Sequence, residues 1–473
     1  MNSNFSQDCP VNALADLSAT DLLALYHRRE VSPVEVTRAV LARIERCEPA
    51  LHAAWALDAD AALAMARESE ARWRRNEPLA LDGVPVTLKD NIATRGVAVP
   101  LGTAATELVP AAEDAPPAAR LREAGAVFVC KTTMPDYGML SSGLSTFHAL
   151  ARNPWNPAMN PGGSSAGAGV AAAVGYGPLH LGTDIGGSIR LPAGWCGVFG
   201  LKPSLGRIPI KPPFAGRVAG PMTRSVTDAA LAMGVLSQPD ARDFMSLPPH
   251  NQRWLGLGRD VKGLRIGLWL DPGWGLPLDD EIRATVEAAA RAFEAAGARV
   301  EPLPAFCTRE MADGIDRFWR LRSWLDISAL PAARRERVLP FIAEWAKGGA
   351  GASGEQVYRG WYQMHALREA TVAATQAFDF VLSPVSPVTG FPAEWAGPTN
   401  DPARSLEHIA FTLPFSMSEQ PAASVNAGWA ANGMPIGLQL AGRRFDDLGV
   451  LQIARAWEQL RPAQRAWPEP PPA

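Results

Sequence analysis

The feature that most constrains this chain is a stretch of 31 residues, 153–183, that contains no Asp, Glu, Lys or Arg. It is long enough to cross a bilayer, but a spanning helix needs about 20 predominantly apolar residues in succession. Pro154, Pro157, Pro161, Pro178 and a series of glycines break it up, so it reads as buried protein interior. Glycine is concentrated around it, with 15 of the 42 glycines lying between Gly138 and Gly206. Glycine serves where φ must be positive or where backbone must come close to another group. Two clusters stand out: Pro161-Gly162-Gly163-Ser164-Ser165-Ala166-Gly167-Ala168-Gly169, and Gly182-Thr183-Asp184-Ile185-Gly186-Gly187-Ser188-Ile189-Arg190.

The chain has 473 residues, 47% hydrophobic and 20% charged, enough to bury a large core in one large domain or up to three of about 150 residues each. A net charge of −3 calls for no broad polyanion-binding surface, so no nucleic-acid partner is expected. Five scattered cysteines (Cys9, Cys47, Cys130, Cys196, Cys307) form no Cys-x-x-Cys pair. They read as reduced thiols of a cytoplasmic protein, with neither a disulfide framework nor a zinc knuckle. Met1 to Thr20 shows no basic and then apolar leader pattern, so no secretory signal is expected.

Ser32-Pro33-Val34-Glu35 is a capping box with Pro at the first helical position, followed by the stripe Val36, Val40, Ile44. An earlier helix capped by Ser18 or Thr20 is expected to end near Arg29, and a third to run over 61–75. Strands are expected at 84–90, 126–131, 179–183, 264–270, 380–382 and 436–440. A helix with the face Ile282, Val286, Ala289, Phe293, Ala296 follows the fourth. Strands alternating with helices predict an α/β fold with a mixed sheet core surrounded by helices. Residues 347–354 read as a surface loop inside a Trp-rich helical region.

Several generic motifs overlap the glycine clusters. Gly163-Ser164-Ser165-Ala166-Gly167 fits G-x-S-x-G, but that elbow requires a strand before it, and a proline-rich loop stands there. His180, His250, His365 and His408 offer no base in a telling context. Gly167-Ala168-Gly169-Val170-Ala171-Ala172 fits a dinucleotide pattern, again without its strand, and no cofactor or metal is implied. The second cluster says more. A short strand runs into Asp184-Ile185-Gly186-Gly187-Ser188, where successive N–H groups can form an anion-binding nest. A serine at its end has an oxyanion site within its own loop; alternatively Ser188 merely caps the next helix. Lys89 closes an apolar strand. There it is either solvated at the sheet's end, the commoner outcome for a lone lysine, or buried, where desolvation makes it a usable base.

Taken in order, the motifs resemble the amidase signature family of serine hydrolases. The match runs over residues 82–92, 121–126, 131–134, 153–156, 162–165, 182–190, 197–203 and 220–228, and more weakly over 379–384, 414–424 and 434–439. The resemblance implies one amidase signature domain over 1–473. Its parts are a helical lead-in (1–80), a signature core (81–230), a variable helical region shaping substrate access (236–373) and a C-terminal part of the core (374–473). It implies a Ser–cis-Ser–Lys triad with Ser188 as nucleophile, Ser164 as the bridging serine and Lys89 as base. The backbone N–H groups of Ile185, Gly186, Gly187 and Ser188 would form the oxyanion hole. Gly138, Met139 and Leu140 would line the acyl pocket, with Ser165, Asp184 and Arg190 in supporting positions.

The sequence departs from the family pattern at Ala166, where a glycine is usual, at Thr133 and at Asp136-Tyr137. No triad position is lost. The implied activity is hydrolysis of carboxamides, extending to aryl acylamides, carbamates (urethanes) and esters, on a small-molecule substrate and with no membrane association. A homodimer is compatible with this. The tryptophans of 309–373 read either as ordinary helix packing or as an apolar, aromatic-lined substrate passage. Two alternatives stand beside this: the glutaminase subunit of a tRNA-dependent amidotransferase, and a catalytically inactive binding protein. The Tyr-Tyr and Ser-Ser-Asn-Leu-Ala-Arg-Tyr-Asp-Gly segment that marks the glutaminase subunit is absent here.

Overall fold

The computed structural model describes residues 14–469, so Cys9 and the chain ends lie outside the described residues. Within them one sheet of eleven strands forms the centre. In chain order these are β1 (Ala54–Trp55), β2 (Pro85–Lys89), β3 (Val127–Thr132), β4 (Leu179–Asp184), β5 (Phe199–Lys202), β6 (Val218–Thr223), β7 (Arg265–Leu268), β8 (Arg299–Pro302), β9 (Phe380–Pro384), β10 (Ala422–Trp429) and β11 (Pro435–Gly442). Their order across the sheet is β1-β3-β2-β4-β6-β5-β10-β11-β9-β7-β8. The pairs β3–β2, β2–β4, β9–β7 and β7–β8 are parallel and the rest antiparallel. This is the expected mixed sheet. β1, β5, β6, β8 and β10 lie outside the expected strands. β6 contains Gly220 and Pro221, poor strand formers that pairing on both sides holds in place.

Helices cover both faces. Helices Val226–Leu236, Asp280–Ala295 and Asp447–Leu460 share a core with Val86, Leu88, Leu181 and Leu440. Helices Pro33–Leu51 and Ala166–Val174 share another with Val127 and Val129. The alternation within β2 therefore sends Val86 and Leu88 into the first core, while Thr87 bonds His180 at 2.8 Å. Helix Pro33–Leu51 starts at the expected capping box, with Ser32 N donating to Glu35 Oε2 at 2.8 Å and Glu35 N to Ser32 Oγ at 3.2 Å.

The uncharged stretch is buried along most of its length, and its helix Ala166–Val174 is buried at every position. A helix that is apolar all round needs such a setting. Among the described residues no helix is long and apolar enough to cross a membrane. Close approach explains Gly167, where a Cβ would stand 2.2 Å from the Ala53 carbonyl oxygen. Ala166, the departure from the family pattern, is accommodated with no exposure. Residues 348–353 form the expected loop between helices Pro340–Lys347 and Gly354–Thr375.

Candidate active site

Parallel β2 and β4 lie side by side, so their carboxyl ends open on the same edge, where open α/β sheets place their ligand sites. Lys89 ends β2, and Asp184 ends β4 just before the Ser188 loop. Lys89 is wholly buried, the less common of the two outcomes its sequence context allows. Its Nζ lies 2.7 Å from Ser164 Oγ, 3.1 Å from Ser165 Oγ and 3.0 Å from Thr183 Oγ1. Burial drives the Lys89 pKa down from 10.5 to about 7, assisted by Arg217 and opposed by Asp184 and Asp90. An amine of that pKa is a proton acceptor at neutral pH.

The Gly163–Ser164 peptide bond is cis. Ser165 ties three parts of the site together. Its N–H donates to the Ser188 carbonyl at 3.0 Å, and its hydroxyl meets both the N–H and the carbonyl of Thr183 at 3.2 Å. This role, and the absence of a preceding strand, remove Ser165 as an elbow nucleophile. His180 is equally committed, with Nε2 2.9 Å from the Gly177 carbonyl and its pKa lowered by burial to about 3.

Asp184 and Arg190 shape the Ser188 loop. The guanidinium meets the carboxylate through two contacts, Nη2–Oδ1 at 2.9 Å and Nε–Oδ2 at 3.1 Å, with neither side chain exposed. Arg190 also donates at 2.8 Å to Thr412 O, Gln439 Oε1 and Ser416 Oγ. Burial pushes the Asp184 carboxyl up, but Arg190 outweighs it and holds the pKa at about 2. Asp184 also accepts from Gly187 N at 2.9 Å and Ile189 N at 3.0 Å. Of the expected four donors, the Gly187 N–H is therefore paired with the carboxylate. The N–H groups of Ile185, Gly186 and Ser188 have no acceptor among the described residues. At Gly187, φ is +127° and a Cβ would stand 2.5 Å from Thr412 Oγ1, so only glycine fits.

Ser188 lines a pocket together with Gly138, Met139 and Leu140, the expected acyl-pocket residues, and with Ile185 and Gly186 of the expected oxyanion loop. The far wall is Trp319, Phe341, Trp345 and Ile409. Asp136 fastens this wall by accepting from Leu339 N at 3.0 Å and Thr146 N at 2.8 Å. A Cβ on Gly138 would lie 3.3 Å from Ser164 Oγ, which puts Ser164 beside the pocket. Arg322, His408 and Thr412 were missed because each reaches the site only through the tertiary fold, and Thr183 was passed over although it stands inside the second glycine cluster. A separate cavity of about 400 Å³ lies between Trp155, Trp429 and Trp467, and Lys89, Ser164 and Ser188 take no part in it. Among the described residues, no group of three or more His, Cys, Asp or Glu could hold a metal ion.

Residues 35–451 match the family model described as Amidase. The chain is 36% identical over 482 residues to a glutamyl-tRNA(Gln) amidotransferase subunit from Myxococcus xanthus, covering 94% of this chain and 97% of that one. Among solved structures it superimposes on a bacterial aryl acylamidase of the amidase signature enzymes, with a TM-score of 0.86, 30% identity and coverage of 94% and 96%. It likewise superimposes on the peptide amidase of Stenotrophomonas maltophilia, with a TM-score of 0.83, 26% identity and coverage of 97% and 99%. The chain belongs to the amidase signature family, and its architecture is the single mixed-sheet α/β domain of those enzymes.

Proposed function

We propose that the chain hydrolyses carboxamide C–N bonds through an acyl-enzyme on Ser188. The observation that carries this is a buried, near-neutral lysine 2.7 Å from a serine hydroxyl beside the pocket that Ser188 lines. Neutral Lys89 takes a proton from Ser164 as Ser164 takes one from Ser188. The Ser188 oxygen adds to the amide carbonyl, and the resulting oxyanion is held by the free N–H groups of the 185–188 loop. The relay returns the proton to the departing amine as the C–N bond breaks. Water then repeats the sequence on the ester, releasing the acid and restoring Ser188.

The acyl group fits between aromatic and aliphatic walls, which favours aryl or alkyl amides and extends to carbamates and esters. Trp319, Arg322, Phe341 and Trp345 reach the pocket from the 236–373 segment, which supports its part in substrate access. Ser188→Ala should abolish turnover of a panel of p-nitroanilides and carbamates while leaving the circular dichroism spectrum unchanged. Retained turnover would overturn the assignment.

A second reading is the glutaminase subunit of an amidotransferase, working with a protein partner. The amidotransferase relatives at 31–36% identity speak for it more than for a general amidase. The pocket speaks against it: among the described residues no Asp or Glu lines it to meet the α-ammonium of glutamine. Ammonia release from glutamine, without turnover of the anilide panel, would establish this reading over the first.

A further inference from the structure

The pocket before Ser188 is apolar along much of its wall, yet polar atoms on four of its side chains are left without hydrogen-bond partners. Trp319 Nε1, Arg322 Nε, Ser405 Oγ and both ring nitrogens of His408 are buried and make no hydrogen bond among the described residues. Trp319 is 7% exposed and His408 3%. Buried polar groups are normally paired. A single exception is a local defect, but these four converge on one cavity from helix Arg309–Ser328 and from residues 405–408.

Their chemistry is lopsided. Indole N–H and guanidinium Nε–H can only donate. Burial holds the His408 pKa down at about 3, so its imidazole is neutral and offers one donor and one acceptor. The Ser405 hydroxyl can do either. Arg322 adds a positive charge that forms no ion pair with a carboxylate among the described residues. Its guanidinium lies over the Phe214 ring at 4.9 Å, and Nη2 contacts the Met139 sulfur at 3.5 Å. A second guanidinium, the partly exposed Arg217, is close enough for the two charges to repel. Donors outnumber acceptors, and the Arg322 charge is met only by the more distant attraction of Asp326.

We propose that this end of the pocket binds a carboxylate on the acyl part of the substrate, remote from the scissile carbonyl. The preferred substrates are then monoamides of dicarboxylic acids. The assignment rests on reading Ser188 as the residue that takes the acyl group. A carboxylate supplies acceptors for Trp319, Arg322 and Ser405 together, and the neutral His408 donates from whichever nitrogen faces it. The positive charge of Arg322 disfavours an ammonium group in the same place.

The test is calorimetry on the full chain carrying Ser188→Ala, with glutaramate, its methyl ester and pentanamide as ligands. Glutaramate should bind at least tenfold more tightly than either of the others. Adding Arg322→Met should erase that margin, and Arg322→Lys should keep part of it. Trp319→Phe, which removes the Nε1 donor and shrinks the ring, should weaken glutaramate more than pentanamide, and it keeps the test open if Arg322→Met does not fold. Equal affinities, undetectable glutaramate binding, or an ester that binds as well as the acid would overturn the proposal. Turnover of pentanoyl p-nitroanilide by the unmodified chain is the separate check on Ser188. Its absence beside an intact binding margin would sink the catalytic reading and leave the subsite standing.

Discussion

Lys89 gives a quantitative test with two independent arms. Its amine is wholly buried among three hydroxyls, and its pKa falls from 10.5 to about 7. That shift corresponds to about 5 kcal/mol against the charged form, at about 1.4 kcal/mol per pKa unit. Only the neutral amine can accept a proton from Ser164. Its neutral fraction is about 0.1 at pH 6 and about 0.9 at pH 8, so kcat/KM should rise roughly tenfold across that interval and then level off. A lysine of ordinary pKa would instead give a tenfold rise per pH unit with no plateau below about pH 10. The second arm is stability. Because the folded pKa is depressed, the unfolded chain binds the extra proton between pH 7 and 10.5. The cost of burying this lysine therefore grows as pH falls through that window and is complete below it. Lys89→Met removes the cost. Its stability relative to the parent chain, from urea unfolding, should improve by about 1.4 kcal/mol for each pH unit from 10 down to 7. The comparison cancels Lys131 and Lys202, which burial also brings to about 7. A pH-independent difference, with kcat/KM still climbing at pH 10, would refute the reasoning.

Arg190→Met leaves Asp184 as an uncompensated buried charge and should cost about 3–5 kcal/mol in urea unfolding, while a loss below about 1 kcal/mol would contradict the pairing. Gly167→Ala drives a methyl to 2.2 Å from the Ala53 carbonyl and should lower stability by about 1–3 kcal/mol or more, readable as a drop in Tm. Gly186→Ala places a Cβ 3.3 Å from Ile409 Cδ1 and 3.5 Å from Trp319 Cη2. It should raise KM for bulky acyl groups more than for acetyl, and an equal effect on both would argue that the acyl group lies elsewhere.

What could be read from the sequence was local. The Ser32 capping box, the apolar runs of β2 and β4 and the glycine-bounded Ser188 loop each carry their signal within a few residues. The motif order pointed to Lys89, Ser164 and Ser188, and the fold brings the amine and Ser164 together across 75 positions. β5 and β6 escaped because Phe-Gly-Leu-Lys and Val-Ala-Gly-Pro-Met-Thr look unlike strands, and their neighbours supply the order. The burial of Lys89 depends on hydroxyls from Ser164, Ser165 and Thr183, far along the chain. The fate of the Gly187 N–H turned on the orientation of the Asp184 side chain. His408 gave no sign of its place beside Ser188, because the two meet only across a pocket wall.

The central claim is that Ser188 is the nucleophile, activated through Ser164 by Lys89. Intact-mass spectrometry after treatment with a fluorophosphonate tests it most directly. The account predicts one adduct per chain, on the peptide containing Ser188, absent in Ser188→Ala and formed far more slowly in Lys89→Met. An unlabelled parent chain, or equal labelling of Ser188→Ala, would contradict it.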